Sequence, residues 1–290
     1  MNPFSALPSL ETVIAAHQLS ARKNLGQHFL LDERVTDNVA RYAGELSHCN
    51  VIEIGPGPGG LTRSLLKAGA KKLFVIEKDE RCVAALARLK EIAGDRLEII
   101  SGDGLEINLI ETVPAPRKIV ANLPYNVGTA MLLAWLHAVY THGAAAFESM
   151  TLMFQKEVAE RIIAEPGCKD FGRLSVLAQW LCECHYNFEL PPEAFLPPPK
   201  VSSAVITLIP RAKPLVDVSK DALEKVMAKA FGQRRKMLRQ ALKGLPVPAD
   251  VLLEKAGIEG SLRAEQLDVV TLCNLAKVYH KLATNSGKPS

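Results

Sequence analysis

Three observations predict an α/β fold with a doubly wound, Rossmann-like sheet and a smaller all-helical module after it. Short β-rich runs alternate with helical patterns through the middle of the chain. A glycine-rich loop joins the first strand of that series to its helix. Beyond residue 210 the strand signal stops. The 290 residues, 48% of them hydrophobic, are enough for a sizeable core and exclude a mostly disordered chain. Charges break every apolar run well before ~18 residues, so no membrane span is expected.

Val51 to Ile54 reads as the first strand of the series, followed by a Gly/Pro loop and a helix over 61–68 that Gly69 ends. Leu73 to Glu77 is the second strand, with a helix over 79–92 and Gly94 as its stop. Leu97 to Ser101 is the third and Lys118 to Ala121 the fourth. A helix over 129–140 leads into a fifth, Met150 to Phe154. Glu183–Leu190 and Ala204–Ile209 read as paired later strands flanking a proline-dense stretch. Four short helices follow, over 219–231, 233–243, 249–256 and 264–283. The expected domains are 1–210, with 1–20 as an N-terminal extension, and 211–290.

Charge divides along the same line. Residues 1–208 carry 20 Lys and Arg against 23 Asp and Glu, whereas residues 209–290 carry 15 against 8. A basic module beside a slightly acidic one predicts an anionic partner for the C-terminal part. Lys229 to Lys243 holds Lys229, Arg234, Arg235, Lys236, Arg239 and Lys243 with no acid, as expected of an RNA phosphate contact; Arg22 and Lys23 add to the same field. The 6 cysteines include no C-x-x-C pair and the 7 histidines show no ligand spacing, so no metal is assigned. Met1 to Gln18 lacks a basic leader and a long apolar core, which makes the cytoplasm the expected compartment.

Gly55, Gly57 and Gly60 satisfy G-x-G-x-x-G between a strand and a helix, and Glu77 ends the next strand where a ribose-binding acid belongs. The loop is poorly made for a pyrophosphate. Pro56 and Pro58 remove two N–H donors, and Glu53 adds negative charge just before the glycines. Both features suit a cofactor that has an adenosine, no phosphate and a cationic portion, which describes S-adenosylmethionine. Asp103, after the third strand, is placed to accept from the adenine amine.

Asn122-Leu123-Pro124-Tyr125 falls at the carboxyl end of the fourth strand, the edge at which such sheets bind ligands. An adenine N6 amine is a poor nucleophile because its lone pair is delocalised into the ring. The Asn122 side-chain oxygen can hold one N6–H and a backbone carbonyl the other, favouring a pyramidal nitrogen aimed at a methyl sulfonium. Tyr125 offers an aromatic face to an unstacked base.

Six segments carry a resemblance: Asn24-Leu25-Gly26-Gln27-His28-Phe29-Leu30, Glu53-Ile54-Gly55-Pro56-Gly57, Val75-Ile76-Glu77, Asn122-Leu123-Pro124-Tyr125, Gln155-Lys156-Glu157-Val158 and Phe195 through Ser203. In that order they resemble the KsgA (RsmA) family of bacterial small-subunit ribosomal RNA adenine dimethyltransferases, over about residues 20–285. The resemblance implies four methyl transfers to two adjacent adenines near the 3′ end of 16S rRNA during ribosome assembly, by an enzyme expected to be a monomer. It implies cofactor contacts at His28, Leu30, Gly55, Glu77, Asp103 and Asn122, the Leu123 carbonyl as second N6 acceptor, and Tyr125 and Phe195 sandwiching the adenine. The basic stretch is expected to contact RNA through Arg234, Arg235, Lys236 and Arg239. Two positions depart from the family pattern: His28 stands where Asn is usual, and Gly104 where Ala is usual. Three other readings share parts of this pattern: a large-subunit rRNA adenine methyltransferase of the erythromycin-resistance type, a DNA adenine methyltransferase, and a non-catalytic RNA-binding assembly factor. The Phe195–Ser203 segment and the Arg-rich stretch disfavour the first, the lack of a base-reading domain the second, and the intact glycine loop and acids the third.

Overall fold

The computed structural model describes residues 4, 7–22 and 26–285, so Lys23, Asn24 and Leu25 lie outside the described residues. Nine strands are described: β1 (Phe29–Leu30), β2 (Asn50–Ile54), β3 (Lys72–Glu77), β4 (Leu97–Ser101), β5 (Arg117–Asn122), β6 (Ser149–Gln155), β7 (Cys182–Leu190), β8 (Phe195–Leu196) and β9 (Ser203–Pro210). Seven form one sheet in the order β4-β3-β2-β5-β6-β9-β7. β2, β3, β4, β5 and β6 run parallel, and β9 pairs antiparallel with β6. A parallel sheet covered on both faces needs apolar side chains on both. Accordingly all five residues of β2, the first five of β5 and the first six of β6 are buried.

Strand order reverses beside β2, which has β3 on one side and β5 on the other. That reversal opens a crevice at the carboxyl ends of β2 and β5, where the glycine loop and Asn122 lie. The loop's turn requires glycine: Gly55, Gly57 and Gly59 have φ of 67°, 55° and 93°. Gly60, first residue of the helix Gly60–Lys67, is required for a different reason. A Cβ there would lie 2.5 Å from the Leu30 carbonyl oxygen. The short β1–β8 ladder pairs Phe29 with Leu196 and Leu30 with Phe195. It folds the N-terminal segment and the proline loop together beside the crevice.

The chain divides into two compact units, 1–159 with 185–210, and 160–184 with 211–290. The expected cut at 210 coincides with one of these, but 160–184 joins the C-terminal segment. The contacts explain why. Trp180, fully buried in the helix Arg173–Leu181, donates from Nε1 to the Val216 carbonyl at 2.8 Å, and Phe171 packs edge-on against Phe231 with centroids 6.1 Å apart. The second unit further contains the helices Lys220–Gly232, Leu238–Ala241, Ala249–Ala256 and Val269–Asn285. The helix expected over 233–243 is reduced to the single turn Leu238–Ala241. Residues 233–237 turn instead, because the Arg234 guanidinium reaches back to the carbonyls of Lys169 (2.5 Å) and Phe171 (2.8 Å). The helix expected over 79–92 divides at Leu86 into Glu80–Ala85 and Ala87–Ala93.

Candidate active site

The crevice is a cleft of about 150 Å³ opening to solvent, lined by the glycine loop, the ends of β3 and β4, and the segment from Asn122 to Val127. Glu77 is 5% exposed at the end of β3. Its Oε1 accepts from the Lys78 and Asp79 N–H groups, both at 2.8 Å, and its Oε2 from the Gly57 N–H at 3.1 Å. Three of about four lone-pair positions are taken, which leaves Oε2 one for a ligand hydroxyl. Burial raises the Glu77 pKa above the ordinary value, with the three N–H donors opposing it.

Asp103 accepts from the Leu105 N–H at 3.0 Å through Oδ1 and from Lys78 Nζ at 2.6 Å through Oδ2. These bonds hold its pKa below the usual carboxylate range, the lysine being the larger cause. Lys78 was not singled out from sequence. Its position directly after Glu77 is the local signal that it borders the cleft.

Asn122 closes β5 with its side-chain amide fixed: Nδ2 donates to the His28 carbonyl at 3.0 Å. The amide Oδ1 is thereby kept as an acceptor. Leu123, 2% exposed, and Tyr125 line the same cleft. The Tyr125 hydroxyl is hydrogen-bonded to Ser203 Oγ, and burial raises its pKa. Ser203, fully buried on β9, belongs to the Phe195–Ser203 motif, but spacing alone does not reveal which side chain it meets.

Among the described site residues, Glu53 is 2% exposed and its Oε2 makes no well-formed hydrogen bond. Burial pushes its pKa up to about 8, the neighbouring Thr62 hydroxyl opposing the shift and the Glu77 carboxylate adding to it. Glu53, His28, Leu30, Gly55, Gly60 and Asn122 border a smaller cavity beside the cleft. A buried carboxyl without a partner is costly unless a cation completes it. This orphaned oxygen, with Glu77 and Asp103 nearby, fits a cofactor that has an adenosine, an ammonium and a sulfonium, and it opposes a pyrophosphate.

Two expected site residues are placed differently. Phe195, 3% exposed, packs into the core with Leu30, Leu190 and Val205 and does not line the cleft; the β1–β8 register turns its ring inward and leaves Leu196 exposed. Arg234, besides its two carbonyls, lies 3.5 Å from Glu265, so its guanidinium is occupied within its own unit. Arg235, Lys236 and Arg239 are exposed.

Residues 18–281 match the family described as ribosomal RNA adenine dimethylase. Among curated relatives, the ribosomal RNA small subunit methyltransferase A of Ruegeria pomeroyi is 52% identical over 277 residues, covering 96% of this chain and 99% of its own. That of Xanthobacter autotrophicus is 49% identical over 288 residues, 99% of each. Among solved structures, a dimethyladenosine transferase from Plasmodium falciparum superposes with a TM-score of 0.76 at 25% identity, over 88% of this chain and 98% of its own. The 23S rRNA methyltransferase ErmE gives 0.64 at 25% identity, over 87% and 99%.

Proposed function

The chain belongs to the ribosomal RNA adenine dimethylase family, and from that premise we propose how it acts. It is a methyltransferase that dimethylates N6 of two adjacent adenines near the 3′ end of small-subunit rRNA during ribosome assembly. The observation that carries the reading is Asn122, whose amide is oriented by the His28 carbonyl so that Oδ1 remains the acceptor at the carboxyl end of β5.

S-adenosylmethionine supplies, when bound, the electrophilic methyl group. The glycine loop at Gly55 and Gly57 lets the backbone approach it, Glu77 Oε2 accepts from a ribose hydroxyl, and Asp103 accepts from the adenine amine. Glu53 faces the cationic end. Asn122 Oδ1 and the Leu123 carbonyl would each accept one N6–H of the unmodified base, and one of them the remaining N6–H of the monomethylated base, which favours a pyramidal nitrogen with its lone pair free. The nitrogen–methyl bond forms as the sulfur–methyl bond breaks, with S-adenosylhomocysteine as the leaving group, and the N6 proton passes to solvent, so no strong base is needed. Tyr125 stacks on the base. Arg235, Lys236 and Arg239 contact RNA phosphates. No described helix is long and apolar enough to cross a membrane; we assign the enzyme to the cytoplasm, as a monomer.

The likeness to ErmE keeps large-subunit RNA as the second reading. Incubation with labelled S-adenosylmethionine and small subunits lacking the modification decides between them. Label on the small subunit supports the assignment; label confined to large subunits, or none on either, refutes it.

A further inference from the structure

Among the described residues, His28 meets Pro197, Tyr125 and Asn122 at one end of the cleft, and it also borders the smaller cavity beside Glu53. Its Nδ1 lies 2.7 Å from the Pro197 carbonyl oxygen. Its ring stacks on Tyr125 with centroids 5.1 Å apart and planes inclined by 29°. Its own carbonyl accepts from Asn122 Nδ2 at 3.0 Å. We infer that His28 is a positioning residue for the target adenine, buttressing the Tyr125 ring and tying it to the proline loop, and is not a side-chain ligand of the cofactor. The inference rests on the methyl-transfer reading above.

The register produces the arrangement. β1 and β8 are antiparallel with Phe29 opposite Leu196, so the next position along places His28 opposite Pro197. A carbonyl only accepts, so Nδ1–H is the donor in this contact. The centroid spacing falls within the 4.5–7 Å range of favourable aromatic pairs. With His28 over one face of Tyr125 and Ser203 Oγ holding its hydroxyl, the ring is fixed at both ends. A base stacked on Tyr125 therefore takes the face that His28 leaves. Asn, the usual family residue here, can reproduce the Nδ1–H donor but not the ring; this chain adds the stack.

Three variants separate the contributions. His28→Asn keeps a donor at the place of Nδ1 without the ring, His28→Phe keeps a ring without the donor, and His28→Ala removes both. The readouts are the Kd for S-adenosylmethionine by calorimetry, and kcat and KM on unmethylated small subunits at saturating cofactor. Loss of one stack and one hydrogen bond at the reacting base predicts a fall in kcat of about ten-fold for His28→Ala. His28→Phe should recover most of that loss and His28→Asn little, with cofactor Kd within about two-fold of the wild type in all three. A cofactor Kd raised about ten-fold in His28→Ala, with kcat unchanged at saturation, would overturn the inference in favour of a cofactor contact. Unchanged kcat in every variant overturns it too. If His28→Ala does not fold, the contrast between His28→Phe and His28→Asn still decides. A wild-type protein that methylates no RNA refutes the function itself, an outcome distinct from any of these.

Discussion

Replacing Glu53 by Gln removes one ionisable carboxyl from a site where burial is nearly complete. In the unfolded chain this group titrates near 4.5, whereas in the fold it keeps its proton until about 8. Between those values the native state binds one more proton than the unfolded state, so stability falls as pH rises through the window and levels off above it. The difference of about 3.5 pKa units corresponds to on the order of 5 kcal/mol. Urea unfolding of the wild type and Glu53→Gln at pH 5, 6, 7 and 8.5 measures it, because titrations of groups not coupled to Glu53 cancel in the difference. The wild type should lose several kcal/mol relative to the variant from the lowest pH to the highest. A cation placed beside Glu53 reverses the balance, so S-adenosylmethionine binding near pH 7 should release close to one proton. Calorimetry in buffers of different ionisation enthalpy reads that number directly, and Glu53→Gln should release none. Parallel stability curves for the two proteins would refute the reasoning, because they would mean that the carboxyl is ionised and solvated in the fold.

Asn122→Ala should reduce kcat at least 100-fold, the scale of losing one placed hydrogen-bond partner of the reacting group, while RNA affinity stays within about two-fold in a filter-binding assay. Removing Arg235 and Lys236 together should lower the slope of log K against log salt by about 1.4–1.8. Arg234→Ala should leave that slope nearly unchanged and cost about 1–3 kcal/mol in urea unfolding, since it strands the Lys169 and Phe171 carbonyls. Gly60→Ala forces a Cβ to within 2.5 Å of the Leu30 carbonyl and should cost about 1–3 kcal/mol, with weakened cofactor binding. Gly232→Ala, where nothing lies within 4 Å, should change stability by no more than about 0.5 kcal/mol.

What was legible from the chain is what local pattern controls. The parallel strands β2, β3, β5 and β6 are largely apolar, buried runs because both faces are covered, and β2 runs directly into Gly55. The glycine loop, Glu77, Asp103 and Asn122 follow from their places relative to those strands. Partners distant in sequence were not legible. β1 and β8 are two residues each and exist only because they pair with one another, and that pairing sends Phe195 into the core. Residues 160–184 join the C-terminal segment through Trp180 and Phe171, although the chain runs back through β7, β8 and β9 in between. Arg234 reads as a surface cation beside Arg235 until the carbonyls it caps are known. In the same way the Lys78 ion pair with Asp103 and the Ser203 bond to Tyr125 depend on separations that spacing does not encode.

We propose that the Asn122 end of this cleft delivers two methyl groups to N6 of each of two neighbouring adenines. Mass spectrometry of 16S rRNA fragments, after reaction of unmodified small subunits with the wild type and with Asn122→Ala, tests it most directly. Two adjacent N6,N6-dimethyladenosines near the 3′ end are expected with the wild type, and unmodified adenines with the variant. Methylation elsewhere in the RNA, or the same dimethylated fragment from Asn122→Ala, would contradict it.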